Sequence, residues 1–398
     1  MTKGKERYYL FLITIIFIAA CIETDIYLPA FPDMMQFFAV SEGAIQGLLT
    51  WNFVGICLSG PFYGPISDAF GRKKPLIFAL LLFFLGSIMT LFANTLPEML
   101  VGRVLQGFGS GGCFTLGTAI LFDAFQKEKA VHALNSLNMA IPLIMSVAPM
   151  VGGFLNSSYG FRSNFLLIAL FVLASLFLCL FFFPESLPKE KRLPFQLSQI
   201  RKDFTKVFIH KAFWQITMAT SLLFAAYIAF LSYTSLLFVS ELGVSKSASP
   251  YFQVAILAAW TIGGLVLKKC LSILGEAKIK KAGTLLCTLG IISFAITGCI
   301  ASQSPIWIVG TYLPFIFGAN WVFGLYFPEA MELLPEIKGV VASILTSVRL
   351  LIAAIIVACT SFLYNGTIYP LLAVIVGTYA IVLFCLLAYQ KRVRALVL

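Results

Sequence analysis

Twelve stretches of roughly 20 predominantly apolar residues limit what this chain can fold into, because each is long enough for a helix to cross a bilayer. They run at about 8 to 30, 43 to 66, 75 to 95, 97 to 121, 131 to 155, 162 to 183, 211 to 239, 249 to 271, 280 to 301, 304 to 327, 338 to 363 and 367 to 390. In lipid every backbone polar group needs a partner within the protein, and these lengths suit helices rather than the short alternating strands of a barrel. With 60% hydrophobic and 11% charged residues, the chain lies far outside the composition of soluble domains. The expected fold class is therefore an all-α polytopic membrane protein. The basic start MTKGKER followed by an apolar run has the outline of a signal peptide. No small-residue cleavage site follows, and Pro29 and Pro32 close the run, so the segment reads as an uncleaved first span.

Orientation follows from the positive residues. Of the 28 Lys and Arg, only Arg162 and Lys246 fall on one side of a twelve-span layout, and Arg103 and Arg349 fall inside spans. The rest share the other side, which places both termini in the cytoplasm of a multi-pass cell (inner) membrane protein. Basic loops facing anionic lipid account for the +11 net charge without any nucleic acid. The nine cysteines stand singly in apolar runs, with no C-x-x-C pair, and read as small buried hydrophobes. His132 and His210 are far apart in sequence, so no metal site is expected. With no phosphate loop or nucleophile constellation either, neither an enzyme nor a cofactor is expected.

The spans divide six and six around a hydrophilic segment. This gives residues 1–183 as an N-terminal six-helix bundle, 184–210 as a cytoplasmic linker and 211–398 as a C-terminal bundle. In the linker Leu197, Ile200, Phe204, Val207 and Phe208 recur at helical spacing among basic residues, as in a helix lying on the membrane surface; a disordered tether is the other reading. The turn GPISDAFGRKKP has a degenerate basic counterpart, LKKCLSILGEAKIKKAG, between spans 8 and 9, consistent with duplication.

GPISDAFGRKKP, between spans 2 and 3, resembles the signature G-x-x-x-D-(R/K)-x-G-R-(R/K) of the major facilitator superfamily at Gly64, Asp68, Gly71, Arg72 and Lys73, with Ala69 in place of a basic residue. VGRVLQGFGSGG resembles the fourth-helix motif R-x-x-Q-G at Arg103, Gln106 and Gly107. APMVGG resembles the end of the antiporter fifth-helix motif at Pro149, Gly152 and Gly153, with Ala148 where that motif has glycine. TDIYLPAFP is similar to the first-helix motif of the twelve-span drug:proton antiporters, in the bicyclomycin and chloramphenicol resistance branch, at Asp25, Tyr27, Leu28, Pro29 and Pro32. The resemblance implies two pseudo-symmetric six-helix bundles around a central cavity that work by alternating access. It also implies that Asp68 and Arg72 gate rather than bind substrate. The motifs cover the N-terminal half; the C-terminal half follows by topology alone.

Only Glu23, Asp25, Arg103 and Arg349 are ionisable groups of the usual charged types well inside the spans. Each needs a partner or water. Counted at 1.5 Å per residue, Asp25 lies roughly 8 Å and Arg103 roughly 9 Å below the same outer face, so an Asp25–Arg103 interaction is expected. Such a site favours ionisation through the guanidinium and opposes it through burial, and proton and substrate could compete for it. A permanent Asp25–Arg103 pair that merely fixes packing is the other reading. Glu23 lies roughly 200° around the helix from Asp25, so it points elsewhere or acts as a second titrating group. Arg349 stands roughly 17 Å into span 11, with a carbonyl, water, a carboxylate of the N-terminal half or an anionic substrate as its partner. Tyr27, Asn52, Gln106, Asn138, Tyr227, Asn320 and Trp321 are further candidates for the substrate cavity.

The expected function is proton-driven antiport exporting a small amphipathic compound, with protons, substrate and lipid as partners and a monomer as the working unit. Export or proton-coupled import of a zwitterionic or carboxylate metabolite, siderophore or amino-acid-like, is the alternative; a non-transporting receptor is a third. A fluorescent-protein fusion at the C-terminus is expected to be bright and a periplasm-dependent phosphatase fused there inactive; the opposite pattern contradicts the assigned orientation.

Overall fold

Pro29 sets the shape of the first span. Lacking an N–H, it cannot bond to the carbonyl of Asp25 four residues back, and its ring crowds that carbonyl. Accordingly α1 (Lys3–Asp25) stops there. A 3₁₀ turn at Leu28–Ala30 and a short helix α2 (Phe31–Phe38) carry the span onward, with prolines in the first turn of each, where a missing N–H costs nothing. The first span therefore continues past residue 30, the end expected from sequence, and resumes as helix after Pro32. The computed structural model describes residues 3–125, 147–192, 197–245, 248–334 and 337–397.

The remaining helices are α3 (Glu42–Phe70), α4 (Lys73–Phe92), α5 (Leu96–Ala124), α6 (147–159), α7 (Arg162–Phe182), α8 (Leu197–Ile209), α9 (Lys211–Leu236), α10 (Ser249–Leu274), α11 (Glu276–Ile300), α12 (Pro305–Glu332), α13 (Lys338–Phe362) and α14 (Tyr369–Val397). Among the described residues ten helices are long and apolar enough to cross a membrane, α1 and α2 counting as one. The expected second span, α3, is 29 residues long but diluted by Gly, Ser, Pro and Asn, and most of the expected fifth span lies outside the described residues. Helix starts follow capping chemistry: Thr95 and Glu98 form a reciprocal capping box at α5, and His210 Nδ1 accepts the Phe213 N–H at α9.

The chain divides into two compact units, Met1–Val40 with Gly47–Arg201, and Ser41–Gln46 with Lys202–Leu398. In the first, α4 and α5 make the most extensive pair; in the second, α11 and α12 do, the equivalent spans of the other half. Both seams close through glycine. A Cβ on Gly109 would meet the Phe83 backbone nitrogen, and one on Gly318 would lie 2.6 Å from the Gly283 carbonyl oxygen. Helix α9 is enclosed, with 88% of its apolar window buried, whereas α7 buries only 33% and presents Phe177, Phe181 and Phe182 outward for lipid. The linker segment contains α8, on which Val207 is fully buried while Phe208 stacks on Trp214 at the start of α9.

Gly109→Val is expected to destabilise the purified protein by about 1–3 kcal/mol through forced separation of α4 and α5. Gly64→Ala, at a position with nothing within 4 Å of an added Cβ, leaves thermal unfolding unchanged or slightly raised. Equal loss in both variants contradicts the seam.

Candidate functional site

Arg103 is among the largest fully buried side chains of the described residues, and its environment follows from the need to satisfy five N–H donors without water. It sits two turns into α5. Its Nη1 donates to Glu23 Oε2 at 2.8 Å and to Gln106 Oε1 at 2.7 Å, Nη2 donates to the Tyr27 hydroxyl at 2.9 Å, and Nε donates to the Leu48 carbonyl at 3.3 Å. The guanidinium also lies over the Tyr27 ring, 4.4 Å from its centre. Glu23 is equally well served: Asn52 Nδ2 donates to it at 3.1 Å and the Ser110 hydroxyl at 2.9 Å. Gln106 in turn donates to Ser87 at 3.0 Å.

The guanidinium pairs with Glu23, not with Asp25. Two residues apart on one helix, only one carboxylate can face α5, and the phase of α1 selects Glu23. Among the described residues Asp25 makes no hydrogen bond or ion pair, and its Oδ2 is buried without a partner. Both carboxylates are almost wholly enclosed, Glu23 at 0% and Asp25 at 2% exposure, so the contrast is one of partners rather than burial. Gly152, on α6, packs where its Cβ would meet the Ile26 carbonyl, so the APMVGG segment lets α6 cross α1 at its break, beside Asp25. Pro149 lies in the same helix, and Gly153 is buried.

Tyr27, Asn52 and Gln106 thus belong to one network around Arg103. Asn138 lies outside the described residues. In the second unit Tyr227 stacks on Trp260, Trp321 donates its indole N–H to the Gly263 carbonyl at 2.9 Å, and Asn320 keeps a buried Oδ1 without a partner. Arg349 is held among the aromatic rings of Phe224, Phe323 and Phe327.

At the opposite end of the first unit Arg72 donates from Nη1 to Asp68 at 2.6 Å and from Nε to Asp123 at 2.7 Å. Burial works against the Arg72 charge, but Asp123 and then Asp68 outweigh it, so its pKa lies above the ordinary arginine value. Glu185 accepts the backbone N–H groups of Arg72 at 2.8 Å and Lys73 at 3.3 Å, capping α4. Gly71 is required twice: its φ is +91°, and a Cβ would strike Glu185. Sequence reasoning missed Asp123 and Glu185, which come from distant segments. The second unit repeats the scheme, with Lys280 of α11 bridging Glu276 at 2.6 Å and Glu329 of α12 at 2.7 Å. Gly275, at φ +77°, starts that helix.

The family model of the Major Facilitator Superfamily matches residues 13–358, through both units. The chain belongs to the Major Facilitator Superfamily. Its members move small molecules across membranes, and this major facilitator is accordingly a multi-pass membrane protein. It is 24% identical over 349 residues to a bicyclomycin resistance protein homolog of Haemophilus influenzae, covering 87% of each chain. To the chloramphenicol resistance protein CraA of Acinetobacter baumannii it is 24% identical, covering 92% of this chain and 87% of that one. A bacterial homolog of the human lysosomal transporter Spinster shares the fold, with TM-score 0.77, 14% identity and coverage of 99% and 98%.

Because Arg103 closes a network with no spare donors nearby, Arg103→Ala is expected to destabilise this major facilitator by about 3–5 kcal/mol, leaving Glu23 uncompensated. Asp25→Asn, which breaks no bond among the described residues and removes an unpartnered buried carboxyl, is expected to leave stability unchanged or raised. Thermal unfolding of the purified variants reads both; the reverse ranking refutes the assignment of the pair.

Proposed function

We propose that this protein is a proton-coupled antiporter that exports small amphipathic compounds from the cytoplasm by alternating access, acting as a transporter and not an enzyme. The observation that carries the reading is the inequality of two adjacent carboxylates: Glu23 is neutralised by Arg103 and bonded by Asn52 and Ser110, whereas Asp25 has no such partners. One guanidinium beside two carboxyl groups leaves one negative charge uncompensated, and a buried carboxyl of this kind marks a proton path in membrane proteins. Asp25 takes the proton and gives it up when substrate or water reaches it. Glu23 and Arg103 hold the helix break in place so that this exchange occurs at a fixed depth. The resistance proteins among the relatives support a drug-like substrate, since bicyclomycin and chloramphenicol resistance are what their names record.

The driving force suffices: about 1.4 kcal/mol per pH unit for each proton, and about 2.3 kcal/mol per 100 mV for each charge moved. In this reading the cell (inner) membrane holds the protein as a monomer with both termini cytoplasmic. The turns around Arg72 and Lys280 gate the movement, and cavity residues of both halves select the substrate.

Inverted vesicles with an acid interior test the proposal. Wild type should accumulate a drug such as chloramphenicol when the gradient is imposed, and Asp25→Asn should lose gradient-driven accumulation while still allowing passive exchange of drug. Accumulation driven only in right-side-out vesicles, or an Asp25→Asn protein that responds fully to the gradient, overturns it.

A further inference from the structure

Arg349 is an intramembrane charge that the proton site leaves unexplained. It lies on α13, and no hydrogen bond or ion pair reaches it among the described residues; its Nε is buried without a partner. Three aromatic rings surround it instead: Phe224 of α9 at 5.1 Å, Phe323 of α12 at 5.6 Å and Phe327 of α12 at 5.4 Å from the guanidinium carbon to the ring centre. Ring faces attract a cation but accept none of its five N–H bonds. Of the two acids on these helices, Glu329 is held by Lys280 and the Tyr389 hydroxyl, and Glu332 is the last residue of α12. A guanidinium does not neutralise itself by losing a proton, so its donors wait for an acceptor.

Two further unpartnered atoms lie in the same layer. Ser221 Oγ is one turn from Phe224 on α9, and Asn320 Oδ1 is one turn from Phe323 on α12; both are buried. Measured from the cytoplasmic ends of their helices at 1.5 Å per residue, Ser221 stands at roughly 15 Å, Arg349 at roughly 17 Å and Asn320 at roughly 18 Å. Arg349 as a whole is only partly buried, so a ligand can reach it.

We propose that Arg349, in its collar of Phe224, Phe323 and Phe327, is a substrate-binding residue that receives a carboxylate, and that the transported compounds include amphiphiles carrying one. The planar guanidinium offers two parallel N–H groups to the two carboxylate oxygens, a geometry lysine does not reproduce. The rings supply the apolar surface against which the body of such a compound packs, and Ser221 and Asn320 offer polar contacts beside it. This rests on the transporter reading above and names a substrate class within it.

The test uses the purified full chain in nanodiscs and three matched probes: 1-naphthylacetate, its neutral amide 1-naphthylacetamide and the cationic 1-naphthylmethylamine. Isothermal titration should show the carboxylate binding at least about tenfold more tightly than the amide. Arg349→Gln should abolish that ratio while leaving amide binding within about twofold, and Arg349→Lys should restore only part of it. Should Arg349→Gln fail to fold, the wild-type ratio and the Ser221→Ala variant, expected to weaken the carboxylate selectively, still decide. A carboxylate that binds no better than its amide, including the case where no probe binds, or a preference untouched by Arg349→Gln, overturns the proposal. Proton-driven chloramphenicol transport measured on the same preparation separates the two readings. If it persists without carboxylate preference, the anion site alone fails; if it is absent while the preference stands, export fails and the anion site survives.

Discussion

The buried pair between Glu23 and Arg103 is the interaction on which the first unit depends. A guanidinium and a carboxylate fully enclosed in a membrane protein hold together only if nearly every donor and acceptor is met. Here the acceptors come from α1, α3 and α5 and from the turn at Tyr27, so three helices and a helix break are tied at one depth. With the end of α1 set by Pro29, the network fixes the rotation of α1 and so which way Asp25 faces. The position of the unpartnered carboxyl is a consequence of the partnered one.

A second theme is repetition with altered chemistry. In each unit a cation at the start of one helix bridges to an acid near the C-terminal end of the next: Arg72 to Asp123 in the first, Lys280 to Glu329 in the second. The helix pairs α4–α5 and α11–α12 are also the tightest of their units, closed by glycine at the crossing. The intramembrane charges do not repeat. The first unit neutralises its arginine with a carboxylate, and the second surrounds Arg349 with rings. Two halves of one architecture thus differ in their buried charges: a paired and an unpaired carboxylate in one, a guanidinium among rings in the other.

Much of this was legible in the sequence, for physical reasons that also explain what was not. Apolar runs of bilayer length announce helices whatever they pack against, and GPISDAFGRKKP marks its turn because Gly71 must adopt a positive φ there. The depth of Arg103 on its helix could be counted, and it matched the right stretch of the first span. Which of Glu23 and Asp25 meets it could not, because that depends on the rotation of α1 against α5, which the buried network decides. The continuation of the first span past Pro32 was missed because proline was read as an end when it opens the next helix. Glu185 and Asp123 gave no local signal. Their roles arise only when segments more than 50 residues apart in sequence, Arg72 to Asp123 and Arg72 to Glu185, come together.

The central claim is that the exchanging proton resides on Asp25 and not on Glu23. Infrared difference spectroscopy on the reconstituted protein, with and without chloramphenicol, reads it through the carbonyl stretch of a protonated carboxylic acid. The band should be lost on substrate addition in wild type and should be missing from Asp25→Asn. A substrate-sensitive band that survives in Asp25→Asn and vanishes in Glu23→Gln contradicts the account.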